Sequence, residues 1–297
     1  MVTPEFKITI NGSELKTKPD SIQLTEENGT TTDELQLKFD GSFSRPSYKD
    51  EIKVWLGYKE SGLYFCGTFI VQTTTQTKLE LTVKATSANF TTNLKEKVNV
   101  SYENLTLKDL VSKIASKHSL RVKADFKDVF LKHISQTNES DLHLLNRLAK
   151  DYNATFNIKN NTLIFTEKTK SDLPVFSIDK NEVENYSLTY ANKTLYKSVK
   201  ATFRDTKENK DIEVTYGSTK PVYHLKGSFK SKEEALKKAK GILGLLNSGT
   251  VKGSLTCTGR NIIAGGKLSF DGSEYLIKRV THTMNSSGYS VKVEFEK

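Results

Sequence analysis

Side chains that could form a metal site or a catalytic pair are few in this sequence and lie far apart. The five histidines are His118, His133, His143, His224 and His282. No two of them have the H-x-x-x-H spacing that places two metal ligands on one helix face. His143 follows Asp141 by two residues, and helical residues two apart do not face each other. We therefore interpret His143 as a surface residue and His282, which lies between two threonines, as a packed or hydrogen-bonded residue of a strand.

Motifs for nucleophilic or phosphate chemistry are absent from the sequence. It contains no G-x-S-x-G elbow, no P-loop and no G-x-G-x-x-G after a strand. Gly265-Gly266 is typical of a tight turn that needs positive φ. Cys66 and Cys257 lie in predicted strands, so we expect two free thiols packed as small apolar groups. We predict no catalytic, cofactor-binding or metal-binding residue, and no enzyme activity.

Two pairs of adjacent carboxylates have simpler explanations than acid–base catalysis. Glu26-Glu27 is predicted to lie in a polar loop, where water solvates both groups. Glu233-Glu234 falls in the first turn of a predicted helix, where acidic residues favour the helix dipole. Neither pair is interpreted as a site.

The first 95 residues read as strands. Five apolar runs, most of them alternating with polar residues, are typical of half-buried antiparallel strands: Phe6–Ile10, Leu35–Phe39, Ile52–Tyr58, Leu63–Val71 and Leu79–Ala85. Their short spacing predicts a small barrel or sandwich, and we assign residues 1–95 to an N-terminal β-barrel.

The periodicity changes between residues 96 and 180. Thr106 and Asp109 have the spacing of a capping box before a helix. A second helix is predicted to begin around 138–141, and a hairpin is predicted to turn at 159–161. We assign residues 96–180 to a compact α+β insert.

Strand patterns return after residue 181, interrupted by a polar turn near 206 and by one helix behind Ser231 and Glu234. We assign residues 181–297 to a second β-barrel that contains this helix. The predicted fold class is therefore α+β, mainly β, with two tube-like antiparallel barrels and the insert between them. The two flanking regions have similar character, which leaves a structural duplication open.

Length and charge set broad limits. The 297 residues suggest two or three domains, and the formal net charge of +10 is concentrated after residue 200. The excess is mostly lysine, with six arginines in the whole chain, so we interpret it as a solvated surface more readily than a nucleic-acid-binding patch. There is no run of about 18 apolar residues, so we expect no membrane insertion. There is no secretory pattern at the start, so we expect the protein to assemble inside the producing cell.

The stretch Gln136–Tyr152 (QTNESDLHLLNRLAKDY) resembles the phage late control protein D family, the baseplate hub proteins of contractile tails. Members carry a Q-x-x-E-S-D-x-x-F-L-x-R-L-A phrase, preceded by an L-T-L-x-D-L-x-x-x-I-A helix that resembles Leu105–Ala115. The C-terminal runs at 259–267 and 275–282 also resemble the closing strands of that family. Leu144 stands where an aromatic is common, a conservative change for a core position. Arg147 is expected to pair with a carboxylate, within the chain or across a subunit.

The resemblance implies a structural role without cofactors. Hubs of this type carry two tube-like barrels per chain, so a homotrimer presents six similar barrels. Such a ring can join a hexameric tail tube to a trimeric spike, with other baseplate proteins around it. The sequence stops after its last predicted strand, so we expect the spike to be a separate polypeptide and the location to be the virion tail baseplate.

Two other functions remain open at this stage. The segment Thr106–His118 and the strand after it loosely resemble the first half of a peptidoglycan-binding LysM unit, and saturable binding of residues 96–180 to peptidoglycan would favour that module. A tail-associated lysin is the third hypothesis, and release of cell-wall fragments by the purified chain would support it.

Overall fold

The computed structural model describes most of the chain. The ranges that it describes are 2–28, 31–87, 92–126, 128–159, 161–167, 173–191, 195–205, 210–226, 229 and 231–297. The predicted polar turn near residue 206 lies outside them. No helix within these ranges is both long and apolar enough to cross a membrane.

One large sheet contains strands from both ends of the chain. Those from the first part are β1 (Pro4–Ile10), β2 (Ser13–Glu14), β3 (Ser21–Glu27), β4 (Glu34–Asp40), β5 (Glu51–Tyr58), β6 (Gly62–Gln76) and β7 (Glu80–Thr86). Those from the last part are β13 (Val175–Ser177), β14 (Val183–Tyr190), β18 (Val251–Thr258), β19 (Lys267–Phe270), β20 (Ser273–Asn285) and β21 (Gly288–Glu296). All five strand runs predicted before residue 95 are confirmed, while β3 was not predicted.

The pairing of β3 with β20 joins the two parts of the large sheet. The strand order is β14-β18-β21-β20-β3-β4-β7-β6-β5-β1-β2, with β19 paired to β20 and β13. Leu24 of β3 lies opposite Leu35 of β4 on one side and His282 of β20 on the other. One apolar cluster runs beneath both parts and includes Leu24, Leu35 and Val280. Alternating strands from distant parts of the sequence thus bury one common face.

The mainly β, α+β fold class is confirmed, whereas the arrangement as two separate barrels is not. Strands assigned to the two barrels share one sheet, and among the described residues its order stays open from β14 to β2. The domain boundaries at 95 and 180 stay predictions. The two-barrel arrangement could not be predicted from the strand pattern alone, because alternation within a strand does not specify which distant strand lies beside it.

The segment 97–167, called the insert body, has a core of its own. Its elements are β8 (Lys97–Thr106), α2 (Leu107–Lys117), β9 (Arg121–Asp125), β10 (Phe130–Ser140), α3 (Asp141–Asp151), β11 (Ala154–Lys159) and β12 (Thr162–Glu167), preceded by the short α1 (Thr92–Lys95). Strand β8 pairs with β10, and β12 lies between β11 and β9. The predicted helices and hairpin are confirmed. The apolar faces of α2 and α3 pack into a cluster separate from that of the large sheet.

The insert body is built from two copies of one β-α-β unit that lie 34 residues apart. Thr106 and Ser140 both cap a helix of 11 residues, and each accepts a hydrogen bond from the backbone N–H three residues on. Four buried positions of the helices match at this offset: Leu110/Leu144, Val111/Leu145, Ile114/Leu148 and Ala115/Ala149. Two further pairs share left-handed backbone conformations: Asn104/Asn138 at φ 49° and 48°, and Ser119/Asn153 at φ 55° and 51°. Ser101 lies opposite its own equivalent, Ser135, so the β8–β10 pair has an approximate twofold relation.

A third unit contains the long helix α4 (Lys232–Asn247) and a small sheet. Its strands are β15 (Ser198–Asp205), β16 (Lys210–Gly217) and β17 (Val222–Leu225). The predicted Ser231 cap is confirmed, since its Oγ accepts from the N–H of Glu234 at 3.1 Å. Gly241 of α4 lies so close to α3 that a Cβ there would come within 2.5 Å of the Asp151 carbonyl oxygen. The α4 unit is therefore seated directly on the insert body.

Candidate functional site

The edge strand β14 is exposed over most of its length. It pairs with β18 from Val183↔Cys257 to Tyr190↔Val251, and no other described strand pairs with it. Tyr186 and Tyr190 are 46% and 69% exposed. A long edge of this kind offers unpaired backbone groups to another strand. At the other end of the sheet, β1 begins with Pro4, which has no backbone N–H to offer. The last two residues of β1 pair with β2, and this pairing shortens the unpaired part of that edge.

An aromatic patch lies on the outer face of β1, β5 and β6. The rings of Trp55 and Phe65 are 5.1 Å apart, and the Lys7 Nζ lies 5.8 Å from the centre of the Trp55 ring. Phe65 is 47% exposed. Exposed aromatic side chains are enriched where proteins meet each other. This aromatic patch and the β14 edge are the two candidate assembly surfaces of the large sheet.

A buried ion cluster, the polar junction, connects the large sheet to the insert body. It consists of Glu26 on β3, Asp33 immediately before β4, and Lys159 at the end of β11. The Lys159 Nζ lies 3.3 Å from Glu26 Oε2 and 3.1 Å from Asp33 Oδ2. Glu26 and Asp33 are only 8% and 5% exposed. Two buried carboxylates thus share one ammonium group.

Further hydrogen bonds hold the polar junction in place. The Asn157 side chain donates to the Glu27 carbonyl oxygen at 2.7 Å, a second contact from β11 to β3. The Glu27 N–H donates to Asp33 Oδ1 at 2.9 Å. The Glu27 carboxylate accepts from Arg279 Nε at 2.5 Å. Glu27 is therefore paired on the sheet side of the polar junction.

The polar junction continues into the large sheet through His282. The His282 Nε2 lies 3.7 Å from Glu26 Oε1, and its Nδ1 lies 2.8 Å from the Tyr289 hydroxyl. Tyr289 in turn contacts the Tyr64 hydroxyl. Burial raises the pKa of both tyrosines, so these hydroxyls stay protonated and can donate. A chain of polar groups therefore crosses an otherwise apolar core.

The two carboxylates of the polar junction differ in pKa. Burial raises the pKa of Asp33 to about 6, because the attraction of Lys159 offsets burial only in part and the Glu26 charge opposes ionisation. Burial also raises the pKa of Glu26, but the contacts with His282 and Lys159 outweigh it and hold the pKa below its usual value. Burial lowers the pKa of Lys159, yet Asp33 and Glu26 hold it above its usual value. Asp33 is thus the member that titrates near neutral pH.

A cavity of about 330 Å³ adjoins the polar junction between the large sheet and the insert body. Its lining includes Glu26, Asp33, Lys159 and Ser87, with Phe65 and Ile263 among the other residues. The Ser87 Oγ is buried and has no hydrogen-bond partner among the described residues. A polar cavity of this size has room for several water molecules.

The residues weighed for chemistry in the sequence do not converge on one site. In the described part of the chain, no three His, Cys, Asp or Glu side chains are arranged to hold a metal ion. His143 is exposed and His282 is buried in β20, as predicted. His118 is buried at the end of α2, where its Nε2 lies 2.7 Å from Asp141 Oδ2. Asp141 therefore connects the two helices as well as beginning α3.

The predicted roles of the remaining residues are largely confirmed. Arg147 pairs within the chain, donating from Nη2 to Glu139 at 2.7 Å. Cys66 and Cys257 are free thiols; Cys66 is half-buried, and burial raises its pKa to about 12. Gly265 has φ of +90°, as a tight turn requires. Gly266 instead is needed for space, since a Cβ there would lie 2.7 Å from the Phe176 ring.

The prediction that Glu26-Glu27 lies in a solvated loop is wrong. Both residues belong to β3, and alternation places Glu26 on the buried face that Ile22 and Leu24 share. The alternation in 21–27 was the available signal, but two acidic residues at its end favoured a loop. No local pattern could have indicated that Lys159, 133 residues away, is the partner of Glu26.

Comparison with known proteins assigns the chain to a family. The chain is 25% identical to a probable baseplate hub protein of Escherichia phage 186 across 99% of this chain and 93% of that protein. Its fold is similar to a tail protein of Neisseria meningitidis MC58 (TM-score 0.74, 10% identity, 99% and 97% of the chains). It is also similar to an E. coli component of the type VI secretion system (TM-score 0.61, 13% identity, 97% and 76%). The family model for the phage tail baseplate hub (GPD) matches residues 52–288, and the chain therefore belongs to the phage tail baseplate hub family.

Proposed function

We propose that the chain is the structural, non-enzymatic hub of a phage tail or a tail-like contractile particle. In this proposal three copies form a ring that joins a hexameric tail tube to a trimeric spike in the virion baseplate. Family membership supports the hub role. The similar fold of a type VI secretion component is consistent with use in injection machines of either kind.

The single observation that carries the proposal is the large sheet itself. It joins two strand-rich parts of one chain side by side through β3 and β20. Three such chains would present six parts of this kind, which suits a junction between sixfold and threefold partners. The exposed edge of β14 supplies backbone groups through which neighbouring copies could continue the sheet.

The β14 edge can be tested with one substitution and a matched control. In Tyr190→Lys a charged side chain replaces an aromatic one that is 69% exposed on this edge. Tyr48→Lys makes the same change at a tyrosine that is 66% exposed in the segment between β4 and β5. We expect sedimentation velocity to show a loss of trimer at micromolar concentration for Tyr190→Lys and not for Tyr48→Lys. Equal trimer content in both variants would remove the β14 edge from the proposal.

A further inference from the structure

We propose that the polar junction is a proton-controlled latch between the insert body and the large sheet, closed when Asp33 is protonated and primed to open when Asp33 is ionised. The latch is a property of the chain itself and does not depend on the hub role. Its failure and the failure of the hub proposal are therefore distinguishable.

The charges at the polar junction balance only when one of its carboxylates is protonated. Lys159 is one cation shared between two buried carboxylates at 3.1 and 3.3 Å. With both carboxylates ionised, the cluster carries a net negative charge at a buried position, which is unfavourable. With Asp33 protonated, Lys159 and Glu26 form a one-to-one pair and Asp33 becomes a neutral hydrogen-bonding group. The closed arrangement is complete only in the second state.

The polar junction lies at the boundary between two apolar cores. The apolar cores of the large sheet and the insert body are separate clusters. Lys159 and Asn157 of β11 reach across the boundary to β3 and to Asp33. The cavity beside them already offers space for water, and its buried Ser87 Oγ lacks a partner. A small separation would therefore hydrate Asp33 without opening either core.

Apart from Lys159, the described charged groups around Asp33 do not neutralise it. The titratable groups that face the polar junction are Glu26 and Glu27 of β3, Tyr64 and Cys66 of β6, Lys123 of β9, Lys159 of β11, and Arg279 and His282 of β20. Arg279 is paired with Glu27 and lies 3.4 Å from Glu294. Lys123 is exposed to solvent. The charge of Asp33 thus depends on Lys159, which Glu26 shares.

The sign of the pH effect follows from linkage. Burial raises the pKa of Asp33 to about 6 from an ordinary value of 3.8, so the closed form binds this proton more tightly than a hydrated form. The contribution of this proton to closure is complete below pH 3.8 and is lost as the pH rises from there through about 6. If Asp33 is fully hydrated in the open form, the equilibrium constant for opening should be about tenfold larger at pH 7.5 than at pH 5.

The test is hydrogen–deuterium exchange of the full chain between pH 5 and 7.5, corrected for the intrinsic exchange rate. In the wild type we expect opening at 21–27 and 154–167 to rise about tenfold over this range. Asp33→Asn keeps the shape of the side chain and removes its charge, so the extent of opening should stay low and should not change with pH. Asp211→Asn, which changes an exposed aspartate of β16, should behave as the wild type does.

A second variant, Glu26→Gln, tests the latch in the case that Asp33→Asn alters the fold. Glu26→Gln leaves Asp33 alone with Lys159, so the pKa of Asp33 in the closed form should move towards its ordinary value and the rise in opening between pH 5 and 7.5 should be smaller than in the wild type. A flat wild-type profile, or an unchanged pH response in both Asp33→Asn and Glu26→Gln, would overturn the latch.

Discussion

The interior of the large sheet and its junction with the insert body are stabilised in different ways, although both involve the same strand. Leu24 of β3 is fully buried against apolar neighbours such as Leu35. Two residues further along β3, Glu26 is buried against a lysine of another body. Apolar burial is non-directional and insensitive to protons, whereas an ion cluster depends on geometry and protonation. The chain therefore combines two bodies that have separate apolar cores with an ionic contact between them.

Damage to one apolar core should leave the other core intact, and this is the largest effect that we expect. Phe165→Ala in the insert body and Phe39→Ala in the large sheet each remove a fully buried ring. Each should lower the free energy of unfolding of its own body by about 3–5 kcal/mol. Hydrogen exchange with urea denaturation should show that Phe165→Ala loosens the insert body and leaves the large sheet protected. Equal loss of protection in both bodies would contradict the separation of the cores.

A smaller effect is expected from removing the cation at the polar junction. Lys159→Met leaves two buried carboxylates without their partner, which should lower the free energy of unfolding at neutral pH by about 3 kcal/mol, the low end of the cost of breaking a buried ion pair. The cost should shrink as the pH falls and Asp33 becomes protonated. Lys53→Met is the control, because its pair with Glu51 is exposed and is worth under about 1 kcal/mol. Similar denaturation midpoints for the two variants at pH 7.5 would refute the assigned role of Lys159.

The smallest expected effect concerns the two helix caps of the repeated unit. Thr106→Ala and Ser140→Ala each remove a hydroxyl that accepts from the first turn of a helix. Each should lower the free energy of unfolding of the insert body by about 1 kcal/mol. Ser116→Ala, on the exposed side of α2, should be neutral because alanine favours helices. Urea denaturation measures all three, and a cost for only one cap would show that the two units are not equivalent.

Local features of the fold were predictable because neighbouring residues encode them. The alternation in Leu35–Phe39 and the Thr106–Asp109 spacing each specify an element without reference to the rest of the chain. The repeat in the insert body is difficult to predict from the sequence, because most equivalent positions of its two halves hold different residues. Asn104/Asn138 is one identity, whereas Ser119/Asn153 share only a left-handed backbone, which the sequence does not display.

Features that depend on distant residues were not predictable. The β3–β20 pairing joins positions more than 250 residues apart, as in Glu27↔Arg279. The polar junction depends on the same long-range closure, since Lys159 meets Glu26 only when the insert body is seated on the large sheet. Hub membership, in contrast, was predicted from the resemblance of Gln136–Tyr152 to a phrase of the family. In the structure this stretch contains a helix cap, a buried stripe and the Glu139–Arg147 pair.

The native mass of the purified full chain tests the central claim most directly. Light scattering with size-exclusion chromatography, alone and with the spike protein of the same particle, should give a trimer of three 33.4 kDa chains, about 100 kDa before any partner is added. Electron microscopy of that peak should show a ring about as wide as a tail tube. A chain that stays monomeric at high concentration, and does not trimerise with the spike, would contradict the account of this protein as a trimeric hub.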